Sequence, residues 1–216
     1  MKKCLTITMA VFSLVLMLAG SGFAITGSIW EINNYNFGNP GAIDNVPGTP
    51  ALATFTINEI NYTTPGSGTV TYTQFLTSGG ATLIWDNQAS TTFGGTSLVT
   101  NGTNTSLFQF KGTSFFPASF NINHDDGVVL YLKSGSTTTT IYFDTPVSPT
   151  VTPILLSTYG LTAGNYDFTL NYGAWNGYPE VLQVPTQAAV PEPSTLPLIG
   201  SGFIGLAAFG RRKFRK

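Results

Sequence analysis

Residues 165–172 read NYDFTLNY, with Tyr166, Phe168, Leu170 and Tyr172 in one alternating set and Asp167, Thr169 and Asn171 in the other. Successive side chains of a strand point to opposite faces, so this stretch is a strand with one apolar face turned inward and one polar face turned to water. Related patterns recur in ALATFTINEI (51–60), TVTYTQFL (69–76), LFQFKG (107–112), SFFPASFNI (114–122), VVLYL (128–132) and TIYFD (140–144). They are punctuated by turn formers such as PGSG, SGG, FGG, NGTN, KSGS and TAGN. Between the two termini no segment sustains the i, i+3, i+4, i+7 apolar pattern of a helix, and Thr, Val, Ile, Tyr and Phe suit a pleated surface. The expectation is an all-β fold, an antiparallel β-sandwich over residues 25–184. The Thr- and Ser-rich runs do not make this body disordered, because a chain with this many rings buries enough apolar surface to offset its ordering entropy. TPVSPTVTP (145–153) and QVPTQAAVPEP (183–193) read as irregular, the latter containing a linker over 185–189.

Charge separates this body from its ends. The chain has a formal net charge of -1, yet Lys2 and Lys3 open it and Arg211, Arg212, Lys213, Arg215 and Lys216 close it. Within the body, residues 25–189, nine acidic side chains face only Lys111 and Lys133, a net of -7, which disfavours nucleic acid and anionic lipid as partners of the body.

The first 24 residues have a two-lysine start, an apolar core from Leu5 to Leu18, and the small residues Gly22 and Ala24 at the positions a signal peptidase reads. Residues 1–24 are therefore a secretory signal peptide that directs the chain to the export machinery. The only cysteine, Cys4, precedes the apolar core, where it cannot carry a lipoprotein anchor, and it leaves with the signal. The mature body has no disulfide to rely on.

The other end mirrors the first. Thr195 to Gly210 is apolar and spans 16 residues, some 24 Å as a helix against a hydrocarbon core of about 30 Å. It reads as a short transmembrane helix that inserts in the inner membrane transiently. The basic cluster behind it acts as a stop-transfer signal held on the cytoplasmic side. In front stand Val190, Pro191, Glu192 and Pro193, whose prolines keep the backbone extended and open to a processing enzyme.

Taken in order, the Val-Pro-Glu-Pro segment, the glycine-containing apolar helix and the terminal basic cluster over residues 190–216 resemble the PEP-CTERM protein-sorting signal of Gram-negative bacteria that make extracellular polysaccharide. That resemblance implies recognition by an exosortase, a membrane-embedded cysteine transpeptidase-like enzyme. It implies cleavage near the Pro-Glu-Pro and delivery to the cell surface or the extracellular matrix, in association with exopolysaccharide and biofilm.

Within the body, FNINHDDGVVLYLKSG (120–135) places Asp125 and Asp126 side by side on one loop. Adjacent carboxylates repel, and two hard oxygen donors outside the cell suit Ca²⁺. A solvated Asp-Asp-Gly hairpin turn is the alternative, and on spacing alone the simpler one. HDDGVVLYL together with LTAGNYDFTLNYGAWNGYPEVLQV (161–184) resembles the second half of a PA14-type, jelly-roll-like β-sandwich. In carbohydrate-binding members of that family two such aspartates, often joined by a cis peptide, hold a calcium ion that binds sugar hydroxyls, and a later asparagine completes the site. The resemblance implies Asp125, Asp126 and Asn176 as metal ligands, with Trp175 beside them to border a glycan. Trp30 and Trp85 read as core.

His124 is the only histidine, so neither a histidine metal cluster nor a Ser-His-Asp triad can be assembled, and the mature chain has no thiol nucleophile. Nothing in the sequence places two carboxylates in facing positions. The expectation is a protein that is not an enzyme: a surface protein with calcium-dependent glycan binding or, alternatively, a structural surface protein without a ligand. A secreted polysaccharide hydrolase ranks behind both.

Overall fold

The computed structural model describes residues 24–33, 46–101, 103–144, 148–175 and 177–186. The signal sequence up to residue 23, the sorting segment 190–216 and Asn176 lie outside the described residues. Eleven strands appear among those described: β1 (Ile25–Asn33), β2 (Ala53–Ile57), β3 (Ile60–Thr63), β4 (Leu83–Trp85), β5 (Asn104–Phe116), β6 (Ser119–His124), β7 (Gly127–Ser134), β8 (Thr137–Asp144), β9 (Thr150–Leu155), β10 (Gly164–Ala174) and β11 (Val181–Val184). They form a seven-stranded sheet ordered β4-β2-β1-β5-β10-β7-β8 and a four-stranded sheet ordered β3-β11-β6-β9. Every pairing between these strands is antiparallel.

The stretch 165–172 lies in β10 and alternates up to Leu170, whereas Asn171, expected to face water, is 2 % exposed and accepts from Gln109 Nε2 at 2.9 Å. Tyr166, Phe168, Leu170 and Tyr172 are buried, and β10 pairs with β5 on one side and β7 on the other. Rings fill the space between the sheets. Phe110 of β5 lies 5.9 Å from Tyr62 of β3 and 5.9 Å from Phe55 of β2, while Phe116 and Phe120 meet at 5.5 Å. A fully buried Phe contributes roughly 2–3 kcal/mol by removal from water.

Close packing also explains β1, whose interior-facing row includes Gly27. A Cβ on Gly27 would sit 2.1–2.7 Å from the Phe55 ring, so the missing side chain is the seat of that ring.

Two stretches depart from expectation. TVTYTQFL is not a strand: Tyr72–Thr77 forms helix α1, begun by a capping box in which the Thr71 hydroxyl accepts from Gln74 N–H and the Gln74 side chain accepts from Thr71 N–H. Alternation and a helical face coincide over so short a run, and the cap decides. A second short helix, α2 (Gln88–Gly94), starts on the Asn87 side chain, which accepts from Ser90 N–H. The segment 145–153 is not irregular throughout, because its last four residues begin β9. Pro153 is tolerated there since β9 is the outermost strand of its sheet.

The chain changes sheet seven times between its eleven described strands, among them at Pro117–Ala118 from β5 to β6, at Asp125–Asp126 from β6 to β7, and between β10 and β11. Among the described residues no helix is long and apolar enough to cross a membrane.

Candidate functional site

Asp125 and Asp126 do not form a hairpin turn. β6 pairs with β9 and β11, β7 with β8 and β10, so the two aspartates step from one sheet to the other and are 2 % and 0 % exposed. A solvated turn is thereby ruled out: these carboxylates are inside. Asp126 has φ 60, the only positive φ on a non-glycine among the described residues, a conformation Asp tolerates better than most. The peptide between the two aspartates is trans, unlike the cis link common in the family it resembles. The one cis peptide among the described residues is Tyr178–Pro179.

Local hydrogen bonds hold this backbone. Asp126 N–H donates to Asp125 Oδ1 at 3.0 Å, and Asp125 N–H donates to the Val181 carbonyl at 2.9 Å. His124 Nδ1 lies 2.9 Å from the Asp126 carbonyl, which can only accept, so the ring carries its proton on Nδ1. The sole histidine thus braces the loop from a fully buried position.

Trp175, first residue after β10, joins through its backbone: its N–H donates to Asp126 Oδ2 at 2.6 Å. The indole side chain is half-buried. Trp30 and Trp85 are framework residues. Trp30 Nε1 donates to the Thr49 carbonyl at 3.0 Å, and Trp85 meets Phe55 edge-on at 5.6 Å.

The sequence reading missed Glu180. It is 0 % exposed, and it is clamped by Thr64: Glu180 N–H donates to Thr64 Oγ1 at 2.6 Å while Thr64 N–H donates to the Glu180 carbonyl at 2.9 Å. Its Oε2 accepts from the Tyr172 hydroxyl at 2.6 Å, and its Oε1 is buried without a hydrogen bond. Burial, and then the Asp126 charge, push the Glu180 carboxyl well above the usual range. Burial and the Glu180 charge likewise raise the Tyr172 hydroxyl, and burial raises Asp125, offset in part by the Asp126 N–H. The only signal in the chain for Glu180 was one acid set between YP and VLQV.

Three acids therefore converge where the chain changes sheets, and the bases are remote. Lys133 lies six residues along β7 from Gly127, roughly 20 Å at about 3.3 Å per residue, opposite Asp167 of β10. Among the described residues no group of three His, Cys, Asp or Glu side chains is arranged to hold a metal ion. A cation here would have to draw on carboxylates together with carbonyl, amide or water oxygens.

Residues 189–213 match the model of the PEP-CTERM protein-sorting motif. This chain carries that sorting signal. The PEP-CTERM match begins one residue before Val190 and takes in the Pro-Glu-Pro, the apolar stretch and Arg211 to Lys213. Solved structures similar to this chain include the PA14 domain of the antifreeze protein MpAFP, at 16 % identity and TM-score 0.43, covering 76 % of this chain and 81 % of that one. A PA14 sugar-binding domain from an RTX adhesin is similar at 11 % identity and TM-score 0.41, covering 74 % and 88 %. A GH31 alpha-xylosidase from Xanthomonas citri is similar at 8 % identity and TM-score 0.29, covering 78 % and 22 %. No curated protein matches the chain.

Proposed function

We propose that this is an exported protein, cut by an exosortase at its PEP-CTERM signal and delivered to the cell surface or extracellular matrix. In this reading its sandwich binds glycan through a calcium ion at the Asp125–Asp126 loop. The motif at 189–213 supports the sorting half. In this reading the prolines of the Pro-Glu-Pro, which disfavour helix, and the short apolar stretch behind it would offer a cleavable segment at the membrane face.

The burial of two adjacent carboxylates beside a third supports the calcium half. Ionising all three in a desolvated corner is unfavourable, and a hard divalent cation relieves it while leaving coordination positions for hydroxyls. Asp125 Oδ1 and Asp126 Oδ2 are engaged by backbone N–H groups, so the other oxygen of each carboxylate, and Asn176, are the ligands this reading assigns. Trp175, held by its N–H to Asp126, would border the sugar.

Intact-mass spectrometry of the protein recovered outside exosortase-bearing cells tests the sorting half. A chain that starts near Ile25 and ends near Pro193 is the expected product, and Arg211 to Lys216 still attached would overturn it. Titration calorimetry with calcium alone tests the other half. No heat at millimolar calcium would leave a structural surface protein in its place.

A further inference from the structure

The outer face of the four-stranded sheet carries an organised row of amides. Asn61 of β3, Gln183 of β11 and Asn123 of β6 stand opposite one another in register, followed by Val151 of β9. Asn123 Nδ2 donates to Gln183 Oε1 at 2.8 Å, and Gln183 Nε2 donates to Asn61 Oδ1 at 2.9 Å. The row is therefore polarised. It leaves the Asn61 Nδ2 donor at one end and the Asn123 Oδ1 acceptor at the other, neither hydrogen-bonded within the described residues. Asn121 and Ser119 lie exposed beside it, and these residues, with Glu59, Val151 and Thr186, line an open cleft of about 640 Å³.

We infer that this cleft binds a neutral polysaccharide chain, independently of calcium and of the Asp125–Asp126 loop. Planar amides fixed by their neighbours offer donors and acceptors to hydroxyls without the rotamer cost that free side chains would add. Strand-to-strand spacing of about 4.8 Å repeats these groups along a line, as an extended chain of sugar rings requires. Glu59 is the only charged residue lining the cleft among the described residues and the body is strongly acidic, which argues against a polyanion. A protein partner would want an apolar centre, whereas here amides occupy the centre and Val151 and Leu155, 59 % and 51 % exposed, lie on the edge strand.

The experiment is retention of the full chain, purified in detergent, on gels containing soluble neutral glucans, mannans or galactans, with a polyuronate as the anionic arm, all in excess EDTA. At least one neutral polymer should retain the protein, and the polyuronate should not. Gln183→Leu, which keeps bulk but removes both amide functions, should weaken retention at least tenfold. Asn123→Ala, which removes the terminal acceptor but no backbone pairing, should weaken it severalfold, with melting curves confirming that each variant is folded. No retention on any neutral polymer, preference for the polyuronate, or retention unchanged in both folded variants would overturn the inference. Because EDTA silences the calcium loop, failure here leaves the calcium-dependent reading standing, and loss of that reading leaves this one.

Discussion

The Tyr172 hydroxyl donates to Glu180 Oε2 at 2.6 Å inside the sandwich, across the turn that takes the chain from β10 to β11. The contact gives a buried carboxyl one partner, but burial and then the charge of Asp126 outweigh it, so the fold favours the protonated acid.

The first prediction concerns pH. A carboxyl whose folded-state pKa lies above its unfolded value binds more protons folded than unfolded, so its contribution falls as pH rises from about the ordinary 4.5 towards the raised value. Without calcium, wild type should lose stability relative to Glu180→Gln across that window, and Glu180→Gln should melt several degrees higher at neutral pH. Asp125, Asp126 and Tyr172 remain in both proteins, so the difference between the two melting curves isolates Glu180. Parallel curves from pH 5 to 8 would show that the carboxyl is not held protonated.

Calcium should stabilise the fold as acid does, by relieving the same carboxylate repulsion. A ligand that binds only the folded state at about 100 times its dissociation constant adds roughly 2.7 kcal/mol, several degrees of melting temperature for a domain of this size. Asp126→Asn is the informative variant, because Asn also tolerates φ 60 and can still accept the Trp175 N–H. Its calcium gain should largely vanish while its calcium-free stability holds. A full calcium gain in this variant would remove Asp126 from the ligand set.

Gly27→Ala should be costly although the change is one methyl group. The new carbon would meet the Phe55 ring at 2.1–2.7 Å, and that ring is held against Phe110 and Trp85, so it cannot withdraw without disturbing both. Overpacking of this kind costs about 1–3 kcal/mol, readable in urea denaturation, and Gly27→Ala with Phe55→Leu should recover part of it.

Thr71→Ala removes one arm of the capping box on α1, whose Tyr72, Phe75 and Leu76 are buried. The expected loss is about 0.5–2 kcal/mol, and Thr71→Ser should restore most of it.

What the sequence could reveal depended on how local the deciding physics is. Strands β7, β8 and β10 were legible because β-branched and aromatic side chains cluster between turn formers there, although β7 is buried on both faces near its start and β10 alternates only as far as Leu170. β1 was not, since Gly27 and Ser28 interrupt the apolar rhythm and Gly27 makes sense only once the Phe55 ring is known to occupy its place. The strand reading of 69–76 failed to a cap three residues long. At the site, the aspartate pair was visible as a pair, but its burial follows from β6 and β7 belonging to different sheets, which no local pattern reports. Glu180 was out of reach for the same reason: Thr64 and Tyr172, which hold it, lie 116 and 8 residues away. The amide row joins residues 60 to 122 apart, so its order emerges only from register.

The positions of the first and last strands bear on the timing of assembly. β1 lies between β2 and β5, and β11 between β3 and β6, so neither the first nor the last strand among the described residues is a sheet edge. A polypeptide threaded outwards from its N-terminus cannot join β3 to β6 until residues 181–184 have emerged, and those residues lie only a few positions ahead of the sorting motif at 189–213. The four-stranded sheet is thus completed only when residues 181–184 are present, just ahead of the sorting motif. Contacts this distant in sequence also form slowly, which favours a threadable chain over premature locking. In the proposed reading, with the chain cut at its sorting signal, strand order would make release of the protein coincide with completion of its fold.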